Sequence, residues 1–304
     1  MKKHTKKLFY KVIEKQHYLF GLSIVRITIG LHLLWQLILA YPIKENLWQS
    51  FFLNPNIEFL HNPVYFNIFY YFGIVIMIFY TLGLGSYFFN FIVYLFVLTL
   101  YKASPFLGDG GSNILMIVLA YMIFTNNSAH LSLFKKGPSN NNFAKITHNL
   151  FFSLVLIQTC ILYFFAGFFK LQGDMWLHGT ALYYVLNIES FRMNLTSYLS
   201  DIIISSPLLL TFGAYSAIFL QLLFPILVFN KYTRYIVLVG SIGFHLSIAL
   251  LMGLVQFGMI MIALDLAFLK DREYLFTYSY IKDKVMAIRT RFVNENSNKK
   301  VITK

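Results

Sequence analysis

Residues 146–169 read ITHNLFFSLVLIQTCILYFFAGFF, an apolar run of 24 residues that contains no Asp, Glu, Lys or Arg. At about 1.5 Å per residue, a helix over this run would be roughly 36 Å long. That length exceeds the hydrocarbon core of a bilayer, which is about 30 Å thick. The run therefore predicts a transmembrane helix, and similar runs recur along the chain.

The composition of the whole chain is that of a polytopic membrane protein. Of its 304 residues, 58% are hydrophobic and 12% are charged, whereas soluble domains carry about 25% charged residues. The mean hydropathy is +0.64. These values exclude a cytosolic enzyme, a nucleic-acid-binding domain and a disordered chain. The apolar runs predict an all-α membrane bundle with eight spans, at residues 18–41, 64–82, 86–104, 112–126, 146–169, 207–229, 233–252 and 254–270.

The basic residues predict the orientation of these spans. Twenty of the 25 Lys and Arg residues fall before the first span, after the last one, or in connections predicted on the same side. Because such residues collect on the cytoplasmic side, we predict both termini in the cytoplasm and a plasma-membrane location. The charges are expected to contact membrane lipids rather than nucleic acid. The predicted parts are a basic N-terminus (1–17), a transmembrane domain (18–270, with a linker near 135–145) and a basic tail (271–304).

Ionisable residues inside predicted spans are candidate functional groups, because their burial in hydrocarbon is costly. Arg26 and His32 lie in the first span. Each also has a structural interpretation, since an arginine can reach back to the membrane surface and a neutral histidine needs only one or two partners. Asp265, near the cytoplasmic end of the last span, is interpreted as a helix-end or salt-bridge residue rather than a catalyst.

A glycine-rich turn lies at the predicted outer face. Residues 108–113 read GDGGSN. Glycines permit positive φ and a close approach of the backbone, and either Asp109 or Ser112 could cap the helix that follows. The turn is therefore either a capped helix start or part of a binding site.

A second polar stretch at the outer face runs from Lys170 to Trp176 and includes Asp174. A desolvated lysine amine can act as a base. The alternative is a lysine that lies at the interface and pairs with Asp174. His245 falls in the outer half of the seventh span, where it could share a cavity with Lys170 and His32.

Several familiar catalytic motifs are missing from the sequence. It has no HExxH motif, cysteine cluster, GxSxG motif or Walker loop, so no zinc protease, serine hydrolase or nucleotide hydrolase is indicated. Cys160 is the one cysteine, which excludes a CxxC-type thiol oxidase. No metal site is predicted.

The sequence resembles a known family of membrane proteins, the HTTM superfamily. HTTM is the transmembrane domain shared by vitamin K-dependent gamma-carboxylase and many bacterial proteins. The resemblance spans roughly residues 15–270 and is carried by 163–171 (YFFAGFFKL), Gly173, Trp176, 179–184 (GTALYY), 109–113 (DGGSN) and the stretch from Phe244-His245 to Asp265. The chain length, and the expectation that no folded domain is appended, resemble the sporulation-delaying-protein B family, which is needed to mature a secreted antimicrobial peptide.

The resemblance implies a role for Lys170, and other polar residues of these clusters are expected to act beside it. Lys170 matches the lysine that acts as the base toward an isoprenoid quinol of the vitamin K type, and His245 and His32 are expected to join it in catalysis. The expected substrate- or cofactor-binding residues are Asp109, Asn113, Asp174 and Trp176. Two departures count against carboxylation of glutamate: Phe169 stands where the carboxylase has a second lysine, and the lumenal domain of the carboxylase has no counterpart.

Three functions follow as expectations. The first is maturation of a secreted peptide precursor at the outer membrane face, together with a partner subunit for processing. The second is a quinol-dependent enzyme, carboxylase-like or oxidase-like, with Lys170 as base. The third is a non-enzymatic immunity, lipid-binding or assembly protein, in which polar residues only join helices.

Overall fold

The fold of the protein is a bundle of α-helices. The computed structural model describes residues 14–49, 57–104, 108–135, 137–189, 196–280, 282–284 and 286, and these contain helices and turns but no strand. The all-α prediction is therefore confirmed for this part of the chain. Most of the predicted basic N-terminus (1–17) and of the basic tail (271–304) lies outside the described residues.

The helices follow the predicted spans closely. In chain order they are α1 (Leu19–Ala40), α2 (Lys44–Trp48), α3 (Pro63–Leu82), α4 (Tyr87–Ala103), α5 (Gly110–Met122), α6 (Asn142–Lys170), α7 (Asp174–Leu177), α8 (Ala181–Leu186), α9 (Ser197–Ile204), α10 (Pro207–Leu227), α11 (Arg234–Leu251) and α12 (Val255–Leu266). Residues 271–280 are also helical.

In the part of the chain that the structure describes, five helical segments are long and apolar enough to cross a membrane: Leu19–Trp48, α3, α6, α10 and α11. The apolar helices α4, α5 and α12 are shorter, with 17, 13 and 12 residues. Each of the eight predicted spans thus corresponds to one apolar helix, and the chain is a membrane protein. That all eight cross the bilayer, with both termini in the cytoplasm, stays a prediction.

Among the described helices, α3, α4, α5, α6 and α10 begin where a polar side chain accepts a hydrogen bond from a free N–H group of the first turn. Asn62 accepts from the N–H of Val64 ahead of α3, and Ser86 accepts from the N–H of Phe89 in α4. Asn141 caps α6 in the same way. Such caps stabilise a helix by about 1 kcal/mol each. The starts of these capped helices are therefore favoured locally, without any packing of one helix on another.

The packing of the helices divides the bundle into two groups. Helix α1 packs against α3, and α4 packs against α5, whereas α6 packs along α10. Helix α12 joins the groups because it contacts α1, α5 and α11. Gly167 lets α6 approach α10, since a Cβ there would lie 2.9 Å from the backbone nitrogen of Leu222. The linker predicted near 135–145 overlaps the start of α6, which begins at Asn142, so only 137–141 of it are described ahead of this helix besides residue 135.

Arg26 is fully buried and does not reach back to the membrane surface. Its guanidinium donates to the carbonyl oxygens of Asn127 and Leu131, in the loop that follows α5. Leu131 has a positive φ of 48°. These contacts support the structural interpretation of Arg26, because its hydrogen bonds hold this loop against α1.

A second polar contact holds the segment after α12. Glu273 accepts hydrogen bonds from Arg234, Tyr235 and the N–H of Lys270. Burial alone would raise the pKa of Glu273, but these hydrogen bonds and the charges of Arg234 and Lys270 lower it overall. The carboxylate therefore anchors the start of α11 to residues 271–280.

Candidate functional site

An apolar cavity of about 880 Å³ lies between α6, α10 and α11. The short helices α8 and α9 also contribute to its wall, through Leu182, Val185 and Ile203. Along α10 the lining extends from Gly213 to Leu227, a rise of about 21 Å at 1.5 Å per residue. A volume and a length of this order suit a ligand with a long apolar chain.

Lys170 lines this cavity as the last residue of α6. Its amine lies 4.9 Å from the centre of the Trp176 ring and 3.4 Å from the carbonyl oxygen of Ala166. Among the described residues no carboxylate lies within ion-pair distance of the Lys170 amine, so the predicted alternative, a pair with Asp174, does not form. A cation over an aromatic ring is stabilised by roughly 0.5–2 kcal/mol. The contact with Trp176 therefore holds the Lys170 side chain in place without cancelling its positive charge.

Trp176 is positioned by the segment that follows α6. The chain turns at Gly173, forms α7, and turns again at Gly179, whose φ of 70° favours glycine. Both α7 and α8 are too short to span a bilayer, as expected for this apolar stretch. Tyr215 of α10 donates to the carbonyl oxygen of Leu177 at 2.6 Å and fixes α7 over α10.

Three side chains from three helices meet behind the cavity wall: Tyr163 of α6, His245 of α11 and Asp265 of α12. All are at most 1% exposed. The Tyr163 hydroxyl lies 2.8 Å from Nε2 of His245 and donates to the Asp265 carboxylate, at 2.8 Å from Oδ1 and 3.0 Å from Oδ2. We call these residues the buried trio. Phe244, the neighbour of His245, lines the cavity itself.

The surroundings of the buried trio fix its geometry. The Tyr163 ring stacks on Phe224 with 3.8 Å between ring centres and 9° between planes. Ser241, one turn before His245 on α11, is fully buried and interacts with both Tyr163 and Asp265. The Tyr163 ring is stacked on Phe224 and its hydroxyl is hydrogen-bonded. Together these contacts hold the ring in a single orientation.

Sequence reasoning missed two members of the trio. Asp265 lies one residue from the end of α12, as the helix-end interpretation expects, but its carboxylate is buried and accepts from Tyr163 rather than forming a salt bridge. Tyr163 was part of the family resemblance without any assigned role. A carboxylate inside an apolar span is rare and needs a polar partner. That rule is the signal that could have identified Asp265 and prompted a search for its partner.

His32 belongs to a second polar cluster, not to the cavity. It interacts with Gln256, whose amide donates to the Tyr101 hydroxyl at 3.0 Å, and Tyr101 in turn donates to Gln36 at 3.2 Å. The charge of Asp109 acts on both His32 and Tyr101. Neither His32 nor His245 lines the cavity, so the prediction that both share it with Lys170 is wrong.

Phe257 of α12 lies between the buried trio and the glycine-rich turn. Its ring centre is 5.4 Å from that of His245, and its side chain lines the cavity. On the other side, a Cβ at Gly111 would lie 2.9 Å from the Cα of Phe257. One aromatic residue therefore separates the cavity from the glycine-rich turn.

The glycine-rich turn is a capped helix start. Asp109 accepts from the N–H of Ser112 at 2.7 Å, and the Ser112 hydroxyl accepts from the N–H of Asp109 at 2.7 Å, a reciprocal capping box. Asn113 is exposed, as is Asp174, and neither lines the cavity. Of the four expected binding residues, only Trp176 lies in the cavity wall.

The titratable groups of the site are not arranged as a metal centre. Among the described residues no three His, Cys, Asp or Glu side chains form a group that could hold a metal ion. The arrangement consists instead of one lysine at an apolar cavity and a buried hydrogen-bonded trio behind its wall. Such a site can hold an apolar ligand and move a proton.

Two curated proteins of Bacillus subtilis (strain 168) are similar in sequence. The uncharacterized protein YitO is 28% identical over 144 residues, which is 45% of each chain. The sporulation-delaying protein SdpB is 27% identical over 197 residues, which is 58% of each chain. The chain thus spans about half the length of the curated relatives it matches. No family model matches the chain, and no solved structure matches it.

These similarities support a distant SdpB-like relationship. Together with the apolar helices, they fit a membrane protein of the SdpB type. Membership of the wider HTTM superfamily, expected from the dispersed motifs, stays a prediction because no family model matches.

Proposed function

We propose that this protein takes part in maturing a secreted antimicrobial peptide at the outer face of a bacterial plasma membrane, with the Lys170 cavity as its working site. The observation that carries the proposal is the placement of Lys170, which lines an apolar cavity without a carboxylate partner among the described residues. The peptide as the class of substrate is what the resemblance to the sporulation-delaying-protein B family implies, and the distant similarity to SdpB supports that resemblance. Cleavage of the precursor is assigned to a partner subunit, since the sequence contains no familiar protease motif.

The proposal is tested by following secreted peptides in cells that lack the protein. We expect the deletion strain to secrete no matured peptide and to accumulate the precursor, whereas a wild-type copy restores both to normal levels. Mass spectrometry of the culture medium and of the membrane fraction measures the two species. A deletion strain that still secretes the matured peptide at the normal level would overturn the proposal.

A second function, that of a quinol-dependent enzyme, is favoured by the shape of the same cavity. An isoprenoid quinol of the vitamin K type has a long apolar tail and a polar aromatic head. The apolar wall along α10 and α11 fits the tail, and the polar groups Lys170 and Trp176 fit the head. When bound, such a quinol would supply reducing electrons, while Lys170 would hold or accept a proton beside it.

The cavity proposal predicts that filling the cavity displaces its ligand. Ser247 lines the cavity, whereas its neighbour Leu246 does not and is 48% exposed. We expect Ser247→Trp to reduce the quinone that copurifies with the protein by about tenfold, since each 1.4 kcal/mol of lost affinity is a factor of ten. Leu246→Trp, the matched control, should leave it unchanged. Solvent extraction and mass spectrometry of the purified protein measure the bound quinone.

Two results would contradict the quinol hypothesis. One is a wild-type protein that copurifies with no quinone from membranes rich in it. The other is an equal loss in Ser247→Trp and Leu246→Trp, which would mean that the tryptophan disturbs α11 rather than the cavity.

A further inference from the structure

The wall of the Lys170 cavity contains a buried amide that the packing of the helices does not explain. Gln221 of α10 lines the cavity, although only 4% of its surface is exposed. Its amide oxygen is buried and has no hydrogen-bond partner among the described residues. A buried polar group without a partner is costly, and native folds keep few of them. The amide oxygen of Gln221 therefore does not join two helices, and it is left for a ligand to pair.

Gln221 lies close to Lys170 in the bundle. A Cβ at Gly167 would lie 3.1 Å from the Cβ of Gln221, so the glutamine is at the level of Gly167 on α6. Lys170 follows Gly167 by three residues, which is about 4.5 Å along the helix. Its amine bends back toward that level, because it lies 3.4 Å from the carbonyl oxygen of Ala166. A cationic group and an amide thus occupy neighbouring parts of one wall.

The rest of the wall offers little to a polar ligand. The polar residues that line the cavity are Lys170, Trp176, Ser216, Gln221, Thr233 and Ser247, and the other lining residues are apolar. The Ser247 hydroxyl donates to the carbonyl oxygen of Phe244 at 2.7 Å, and the Thr233 hydroxyl donates to that of Leu227 at 2.8 Å. These two hydroxyls are therefore already engaged with the backbone.

This distribution of polar groups favours one class of ligand. An extended peptide would carry an N–H and a C=O group into the cavity with every residue, and each is costly in apolar surroundings unless it is paired. The apolar wall cannot pair them. A single apolar chain with one small polar head needs partners only at the head, and Lys170 and Gln221 are the partners available.

The cavity opens toward the bilayer between α10 and α11. Phe219 of α10 and Ile236 of α11 line it and are 59% and 75% exposed. Gly240 and Gly243, in the middle part of α11, also line it and are exposed. A Cβ at Gly243 would meet no atom within 4 Å. Because both helices are long and apolar enough to cross a membrane, this opening faces the hydrocarbon, from which a lipid-like ligand can enter.

We propose that the cavity holds a single-chain amphiphile taken from the bilayer, and that the Gln221 amide hydrogen-bonds its oxygen-bearing head beside Lys170. The amide can present either its oxygen to a hydroxyl or its nitrogen to a carbonyl or carboxylate oxygen, because a half turn of the group exchanges the two. Isoprenoid quinones and fatty acids share this chemistry. The proposal rests on the proposed function, in which this cavity is the working site, and it assigns the cavity to a lipid co-substrate rather than to the peptide.

The test measures binding to the purified protein in detergent. Native mass spectrometry gives the bound fraction as the protein is titrated with phylloquinone, an isoprenoid quinone of the vitamin K type, or with oleate, a fatty acid. We expect Gln221→Leu to weaken the binding of at least one probe about threefold to tenfold, the effect of losing one hydrogen bond. A loss for phylloquinone identifies the quinone as the source of the head, and a loss for oleate alone identifies the fatty acid.

Thermal unfolding of the ligand-free protein separates a binding role from a structural one. Leucine keeps most of the volume of the glutamine and removes the unpaired amide, so Gln221→Leu should unfold at a higher temperature than the wild type. A glutamine that held helices together would have the opposite effect. Gln158→Leu is the matched control, because it removes a glutamine of the apolar helix α6 that does not line the cavity. It should bind both probes as the wild type does.

Three results would overturn the proposal: unchanged affinity of Gln221→Leu for both probes, an equal loss in Gln158→Leu, or a lower unfolding temperature of ligand-free Gln221→Leu. The failure of the proposed function gives a different result. If Gln221→Leu binds a probe more weakly but cells with this variant mature their peptide normally, the binding site stands and the cavity is not the working site of maturation.

Discussion

Lys170→Met is expected to abolish the matured peptide while the protein still accumulates in the membrane. Methionine keeps the length and the apolar stem of the side chain, so the wall of the cavity and α6 should persist. What is lost is the amine. A positioned acid or base contributes typically 10²–10⁴-fold to a rate, so we expect the matured peptide to fall by about a hundredfold or more. Mass spectrometry of the secreted peptide, with immunoblotting of the membrane fraction, measures both quantities.

Lys170→Arg distinguishes a base from a simple positive charge. Arginine keeps the charge and can still stack on Trp176, but it does not give up its proton in a protein. If Lys170 is a base, the arginine variant fails as fully as the methionine variant. If only the charge matters, for example to hold an anionic head group, arginine restores maturation.

The matched control is Lys102→Met, which removes a lysine from the end of another apolar helix outside the cavity. This variant should mature the peptide normally. Normal maturation in Lys170→Met would contradict the assignment of the site. A deletion strain without matured peptide would then leave the protein with a role in assembly only.

The sequence allowed the helices to be predicted, but not the faces they present to one another. Residues 146–169 are apolar around the whole helix, so their pattern does not say which side meets lipid and which side meets protein. Lipid and protein interior are both apolar, and the segregation of polar and apolar faces that orients a helix of a soluble protein is therefore weak. The eight apolar helices could be placed along the chain, whereas the contact between Tyr163 and Asp265 could not.

Only part of the candidate site was predicted, because the sequence does not show which faces of the helices meet. Lys170 and Trp176 follow each other closely in the sequence, and the short turn between them brings the two side chains together. His32 and His245 lie far apart in the sequence, and their meeting depends on how α1 and α11 are rotated. Phe257 lies between His245 and the glycine-rich turn, a placement that no local pattern indicates.

The second large effect is expected at the glycine-rich turn, where Gly111→Ala should destabilise the bundle and Gly110→Ala should not. A Cβ at Gly111 would lie 2.9 Å from the Cα and 3.0 Å from the nitrogen of Phe257, which are backbone atoms that cannot rotate away. A Cβ at Gly110 would lie 3.7 Å from the Phe257 ring, an ordinary contact. The two glycines are adjacent in the first turn of α5, so their helix propensities change alike.

Overpacking typically costs about 1–3 kcal/mol, whereas replacing glycine by alanine in a helix gains up to about 1 kcal/mol. We therefore expect Gly111→Ala to lower the free energy of unfolding, and Gly110→Ala to leave it unchanged or raise it slightly. Thermal unfolding of the two purified variants, side by side in one detergent, measures the difference. Equal stability would mean that α5 and α12 can separate freely at this crossing.

Because Phe257 also lines the cavity and contacts His245, a shift of α12 at Gly111 should also loosen the Lys170 site. The glycine-rich turn would then matter to function through the position of α12, without its own side chains touching the ligand.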